Sequence, residues 1–486
     1  MAPDQYDLVI VGMGSAGKAA AEFATTLELR VAAVERAQVG GECLWTGGVP
    51  SKALLAAAKV AHAIRHADRF GIAASEPLID LAQVWHRVRE VQTSIAATDD
   101  HPDRYAAMGL EIVYGDARLT GPNEVTVTPR PVASSASALA ATERVLQTRF
   151  VLLCTGSRPA FPDLPGLDDA EPLTNETLFA LQRPPSNAIV LGGGPMGVEL
   201  AQAFARLGIQ VSLVHDGPRL LPRDEQSLVS LLTTVLRDED VEVLIDARAV
   251  AVRRAPGGGV VLTVHDPAGV RELHAEALVV ATGRRPDVEG LGLDQLGIEV
   301  RSGTGGGVVV DDRARTTFRT VYAVGDVTDG DRFTHAADHA AVAAVRDMFF
   351  PGRAPASDLV PWCTFTDPEL AHAGLTADEA EARFGEDVDV WRVDLQHNDR
   401  ARTDRATAGA IVVVTAKERI VGAHVLAPAA GELIHELSLA IRQGLKLNEI
   451  ASMVHVYPTM ATSVGMLAAE SASEKAQRYR WLVKRR

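Results

Sequence analysis

The residues best suited to chemistry lie in the loop 40–52, GGECLWTGGVPSK. Cys43 offers a thiol, and Lys52 offers a nearby cation that can favour its thiolate. The loop has the cadence of a redox-active cysteine pair, in which one thiolate attacks and a second closes the disulfide. The place of the second thiol, five residues on, is taken by Gly48. The remaining cysteines do not replace it. Cys154 in VLLCTG and Cys363 in PWCTF sit in apolar runs and read as small buried hydrophobes. Three cysteines build no disulfide framework and suit a reducing cytosol, so a cytoplasmic protein is expected.

Two glycine-rich turns must position whatever this loop acts with. In YDLVIVGMGSAGKAAAEFATTLELRVAAVER, the apolar strand 8–11 runs into Gly12, Gly14 and Gly17, an alanine-rich helix follows, and a second strand ends at Glu35. This is a βαβ dinucleotide unit. Gly12 permits the tight turn, Gly14 lets backbone approach a pyrophosphate at the helix N-terminus, and Gly17 lets helix and strand pack. Glu35, followed by Arg36, stands where a carboxylate accepts the adenosine ribose hydroxyls. The second copy, NAIVLGGGPMGVELAQAF, carries Gly192, Gly194 and Gly197. The step that leads from Gly12 to Glu35 leads from Gly192 to His215, so the acid that would repel a 2′-phosphate is missing. With Arg219 and Arg223 close behind, the site is expected to accept NADPH and to favour it slightly. The alternative is a solvated His215 and no preference.

Two dinucleotide sites pair economically as FAD and NAD(P)H. The segments FVLLCTGSRP, with Thr155 and Gly156, and LVVATGRRPD, with Gly283, repeat one pattern and suit chain crossings between lobes. VYAVGDVTDG places Asp326 just after a strand, where a carboxylate can bind ribityl hydroxyls.

Together these motifs resemble the flavoprotein disulfide reductases: lipoamide dehydrogenase, glutathione reductase and mercuric reductase. The resemblance spans nearly the whole chain and reaches VPWCTFTDPELAHAGLT, similar to the opening of the family's dimerisation domain. It implies an α/β fold with two Rossmann-like domains, for FAD and NAD(P), and a C-terminal α+β dimerisation domain. The expected divisions are an FAD-binding part over 1–155, an NAD(P)-binding domain over 156–280, a central FAD-associated segment over 281–355, a dimerisation domain over 356–470, and a basic tail over 471–486. It implies a homodimer with each active site built from both subunits. It assigns Gly12, Gly14, Gly17, Glu35, Arg36, Gly41, Lys52, Thr155, Gly156 and Asp326 to FAD, with Lys52 near flavin N5. Thr334, His335 and Ala336 match a turn whose N–H groups face the flavin carbonyl edge. Gly192, Gly194, Gly197, Glu199, His215, Arg219 and Gly283 fall to NAD(P), with Glu199 as the usual partner of Lys52.

The chain departs from that family at three places. Gly48 replaces the flavin-facing cysteine. The family's His-Pro-Thr and following Glu, the acid–base dyad for the exchanged thiol, read here as Tyr457-Pro-Thr and Thr462. His455 is two residues too early, a poor substitute in extended chain. Tyrosine, with an ordinary pKa near 10, is no neutral-pH base but can donate a hydrogen bond to an oxygen. Family members that have lost the cysteine pair act as quinone reductases. The expected activity is therefore electron transfer from NAD(P)H through FAD to a quinone or similar small acceptor. Cys43, Gly48, Lys52, Glu199 and Tyr457 are the reacting set, and Trp45 is a candidate to line the acceptor pocket. The alternatives are a flavin oxidase or dehydrogenase of a specialised small molecule, and a single-thiol disulfide or metal reductase working through Cys43.

Composition agrees. With 48 basic and 63 acidic residues, the net charge of −15 argues against a nucleic-acid surface. No apolar run is long enough to span a membrane, and no ligand cluster suggests a resident metal. Residues 128–144 are expected to form a mobile insertion loop, 255–259 and 302–307 to be turns, and 431–454 to be an interface helix.

Overall fold

The computed structural model describes residues 4–130, 142–303, 305–328, 330, 332–352, 359–478 and 481. Strand Gln5–Val11 is apolar from Leu8 onward, where both of its faces are covered. It pairs in parallel with Val31–Glu35 on one side, Leu8 opposite Val31, and with Arg144–Leu153 on the other. Glu111–Gly121 and Val321–Ala323 extend the parallel set outward. Glu124–Pro129 joins Glu111–Gly121 to Arg144–Leu153 by antiparallel pairing. The alanine-rich helix Ser15–Thr26 packs through Ala16, Ala20 and Ala24 against Ala337, Ala341 and Ala344 of helix Thr334–Phe349. Small side chains on both helices bring the second helix's N-terminus close to the first glycine turn.

The second sheet is a parallel set of four strands in the order Ala277–Val280, Asn187–Leu191, Gln210–Val214, Glu242–Leu244. A three-stranded antiparallel sheet, Arg248–Arg254, Val260–Asp266 and Gly269–Ala275, is attached to it. The two repeated crossing segments meet: Ser157–Pro159 pairs antiparallel with Arg284–Pro286. The C-terminal sheet is antiparallel, in the order Trp362–Thr364, Glu369–Gly374, Arg419–Ala427, Ala410–Ala416, Val388–Asp394. The fold is thus α/β, with two parallel nucleotide-type sheets and a C-terminal α+β unit.

Three expectations need correction or restriction. The single helix expected over 431–454 is two: Ala430–Gln443 ends at Gly444, whose left-handed φ of 62° caps it, and Leu447–Ile450 follows. Leu437 is buried there, but Leu439 is 60% exposed. Most of the expected loop 128–144 lies outside the described residues, as does the end of the basic tail; its start continues helix Thr462–Arg478. The 255–259 turn is closed by the Ala255 N–H donating to the Gly259 carbonyl. The 302–307 turn contains residue 304, outside the described set. Among the described residues, no helix is long and apolar enough to cross a membrane.

Candidate active site

A cavity of about 2160 Å³ runs between the two parallel sheets and reaches the C-terminal sheet. That is at least twice an ordinary ligand pocket of roughly 300–1,000 Å³, and it suits more than one large ligand. The first glycine turn forms one wall. A Cβ at Gly17 would stand 1.9 Å from the Gly12 carbonyl oxygen, so any side chain there would push the helix off the turn. Glu35 is 7% exposed, and its two oxygens accept N–H bonds from Met13 at 2.8 Å and Ala37 at 2.7 Å. Each oxygen keeps lone-pair capacity for a ribose hydroxyl. Burial raises its pKa, opposed by those N–H bonds. Gly14 and Gly41 are in close backbone approach beside it. This cradle fits an adenine dinucleotide.

Arg36 does not reach freely into the cavity. It pairs with buried Asp287 at 2.7 Å, and Arg158 holds the other oxygen of Asp287 at 3.0 Å. Thr155 donates to the Asp287 carbonyl at 2.6 Å, and the Asp287 N–H donates to Gly156. This clamp joins the two crossing segments. Asp287 and Arg158 were not singled out from sequence, although both stand in the quoted TG-x-RP repeats.

Cys43 lies on the short helix Gly41–Trp45, is partly exposed, and lines the cavity. An ideal Cβ on Gly48 would be 3.1 Å from Cys43 Sγ. Position 48 therefore adjoins the Cys43 sulfur and carries no side chain of its own. Cys154 is buried, which raises its thiol pKa far above the ordinary value. Cys363 corrects the expectation of a buried hydrophobe: it is partly exposed, lines the same cavity, and has Sγ 4.0 Å from Glu369 Oε2. Burial and neighbouring carboxylates hold its thiol protonated.

Beside Cys43, Glu42 pairs with Arg284 at 2.6 Å. Arg284 also donates to Ser157 Oγ at 2.7 Å, and Ser157 donates to Asp326 at 2.5 Å. Burial pushes Glu42 up to about 7, partly offset by Arg284. This chain ties the cysteine loop to Asp326 and both crossing segments. Trp45 donates its indole N–H to the Val39 carbonyl at 2.8 Å and also lines the cavity.

Lys52, on helix Gly48–Arg65, meets Glu199 of helix Pro195–Arg206 at 2.8 Å. Glu199 is 4% exposed, and its other oxygen accepts the Phe365 N–H at 2.8 Å. Lys52 Nζ also lies 4.5 Å from the Phe365 ring centroid. One ion pair thus fastens three parts of the chain at the cavity. Helix Thr334–Phe349 opens on the same cavity, so the N–H groups of Thr334, His335 and Ala336 have no helical acceptor. The Ala336 side chain is not part of the lining, and the His335 ring is 2.7 Å from the Pro361 carbonyl oxygen.

Tyr457 is outside this cavity within its own chain. Its ring is 71% exposed and its hydroxyl donates to Asp399 at 3.1 Å, which raises its pKa. His455 is turned inward, 8% exposed and 3.1 Å from Glu436, and does not stand in for it. Thr462 donates to the Thr459 carbonyl.

The second glycine turn repeats the first. A Cβ at Gly197 would stand 1.9 Å from the Gly192 carbonyl oxygen, and Gly192, Gly194 and Gly283 line the cavity. His215 is at the turn, its Nδ1 accepting the Gly193 N–H at 3.3 Å. Arg219 corrects the sequence reading. Its guanidinium donates to the Asp224 and Pro222 carbonyls at 2.9 and 2.7 Å, and it does not line the cavity. Arg223 stacks over Trp362, 4.6 Å from the centroid. Arg219 thus fastens the turn that follows the strand and Arg223 packs on the C-terminal sheet, and neither lines the cavity.

Comparison with known proteins matches this geometry. The pyridine nucleotide-disulphide oxidoreductase profile matches residues 6–344, and that family's dimerisation domain matches 360–468. The chain is 35% identical to a mercuric reductase of Streptomyces lividans, over 97% of each chain. It is 31% identical to a dihydrolipoyl dehydrogenase of Bacillus subtilis, over 97% of each. Its fold is similar to the crystal structure of LpdA from Mycobacterium tuberculosis, with a TM-score of 0.84, 26% identity, and coverage of 96% of this chain and 99% of that one.

Proposed function

The chain belongs to the pyridine nucleotide-disulphide oxidoreductase family and is an NAD(P)H-dependent, FAD-containing oxidoreductase, and from that premise we propose that it delivers electrons directly to a quinone or another small diffusible acceptor, with no disulfide relay. Its dimerisation domain supports a homodimer. Bound FAD would supply the two-electron chemistry, taking hydride from NAD(P)H and passing the electrons on. The first glycine turn, Glu35 and Asp326 would hold it.

The observation that carries the reading is the vacant side-chain space at Gly48, 3.1 Å from Cys43 Sγ. A thiol relay needs two sulfurs in contact, and this loop offers one. With glycine there, the loop leaves room for a flat acceptor on the cysteine side. The Lys52–Glu199 pair keeps a positive charge fixed in the cavity, available to developing negative charge. Tyr457 is read as reaching the partner subunit's cavity, where its hydroxyl would orient an acceptor oxygen.

The test is anaerobic mixing of holoprotein with NADPH, then NADH, followed by a quinone. The flavin bands should bleach without a long-wavelength thiolate band and return when quinone is added. Cys43→Ser should keep the quinone rate. Quinone reduction no faster than with free FAD refutes the proposal. The runner-up is a single-thiol reductase, favoured by the cavity-facing Cys43 and by the mercuric reductase relatives. A long-wavelength band lost on alkylating Cys43 would make it the better reading.

A further inference from the structure

We propose that the second nucleotide site selects NADPH over NADH through His215 and Arg248, the cation that neither sequence proximity nor motif indicates. The inference concerns the electron donor and is independent of the acceptor.

The two glycine turns are fastened by the same bond with different chemistry. In the first, the Met13 N–H donates to Glu35 Oε2 at 2.8 Å. In the second, the Gly193 N–H, at the matching position, donates to His215 Nδ1 at 3.3 Å. The imidazole thus does the structural work of the acid, tying the strand end to the turn. A ring nitrogen that accepts carries no proton, so the proton of the neutral ring is on Nε2. Where glutamate presents two acceptors to a ribose, His215 presents a donor. The ring is close-packed between glycines: a Cβ at Gly193 would be 2.7 Å from His215 Cγ, and one at Gly217 would be 2.8 Å from Nε2. The site therefore withholds the paired acceptor that a 2′-hydroxyl needs and removes the charge that a 2′-phosphate meets.

A phosphate also needs a cation, and Arg219 and Arg223 are committed elsewhere. Backbone bonds bring another. The Ala247 N–H donates to the His215 carbonyl at 2.9 Å, and the Asp246 N–H donates to Gly217 at 2.8 Å. These bonds set Arg248, the first residue of strand Arg248–Arg254, against the His215 turn. Arg248 is exposed and lines the cavity with His215, and it has no ion pair among the described residues. The opposing charge beside them is Asp216, which also lines the cavity with its Oδ1 3.6 Å from His215 Nδ1; its side chain is 79% exposed, so water screens it. A guanidinium matches phosphate geometry and cannot lose its charge.

The test uses fragments that carry no nicotinamide. Holoprotein is titrated calorimetrically with 2′-phospho-ADP-ribose and with ADP-ribose, and FAD content reports folding. The wild type is expected to bind the phosphorylated fragment about tenfold or more tightly at low salt, as a charge-assisted contact provides. Arg248→Gln should remove most of that advantage and leave ADP-ribose binding unchanged. His215→Glu should favour ADP-ribose. Equal binding of the two fragments by the wild type, or equal weakening of both by Arg248→Gln, overturns the proposal.

Discussion

Replacing Gly48 with cysteine asks whether the space beside Cys43 is the missing half of a disulfide. The ideal Cβ at position 48 is 3.1 Å from Cys43 Sγ. Across a disulfide, the Cβ of one cysteine and the sulfur of the other are ~3 Å apart by ordinary bond lengths and angles. Position 48 opens helix Gly48–Arg65 without a left-handed φ, and the next neighbour of the added Cβ, the Cys43 carbonyl oxygen, is at 3.7 Å. Of the atoms around it, the added Cβ therefore meets only those of Cys43 within 4 Å. The wild type has three cysteines and the variant has one more, so thiol titration of the unfolded, unreduced variant should find two free thiols and titration after reduction four. Uptake of NADPH per subunit should rise from about one equivalent to about two, because a disulfide adds a two-electron sink to the flavin. The quinone rate should fall, since a sulfur now fills the space assigned to the acceptor. Four free thiols in the air-oxidised variant would refute the geometric argument. An unchanged quinone rate with the disulfide formed would refute the acceptor placement.

Lys52→Met should slow flavin bleaching by NADPH in stopped flow by about tenfold, ~1.4 kcal/mol of barrier, with FAD still bound. A full rate would make the Lys52–Glu199 pair a purely structural fastening. Tyr457→Phe removes an exposed hydroxyl bonded to Asp399 and should leave the melting temperature nearly unchanged while raising KM for the quinone. An unchanged KM would remove Tyr457 from the acceptor site. Glu42 has a folded pKa of about 7, above its ordinary 4.5, so its stabilising contribution is complete below 4.5 and is lost as pH rises through 7. Thermal melts should show stability falling between pH 5 and 8 by at most roughly 2–3 kcal/mol from this group, less for its one-third exposure. Glu42→Gln should abolish that part of the fall.

What could be read from the sequence was local. Gly12, Gly17, Gly192 and Gly197 announce themselves because a turn and a helix start impose their demands within a few residues. The Lys52–Glu199 pair was reachable only through the family resemblance, since nothing near either residue points to the other. The clamps of Arg36 and Arg158 on Asp287, and of Arg284 on Glu42, stayed hidden for the same reason: the partners of each pair lie in separate parts of the sequence. Arg219 was misread because closeness in sequence to His215 was taken for closeness in space. Its fork was already satisfied by carbonyls of its own turn. Arg248 arrives at the same wall through backbone pairing that no local pattern encodes. Gly444 was visible, but the apolar period running through it outweighed its ability to end a helix with a left-handed cap.

The retained and altered groups divide in a way that bears on the proposed reaction. The groups that the family resemblance assigns to two dinucleotides and to a lysine beside them are present: both glycine turns, Glu35, Asp326 and the 2.8 Å Lys52–Glu199 pair. On the proposed reading, the departures from the resembled family fall in thiol exchange: Gly48 at the second sulfur, Tyr457 at the base and Thr462 at the base's partner. Losing a relay by one substitution would leave the base standing, and a mixed-disulfide chemistry through Cys43 alone would still need a group to move the thiol's proton. Here Tyr457 is bonded to Asp399, which holds its proton more firmly, and His455 is turned into its own subunit against Glu436. A site without that proton carrier is poorly equipped for thiols, whereas an acceptor that takes electrons from the flavin directly has no use for one at that position.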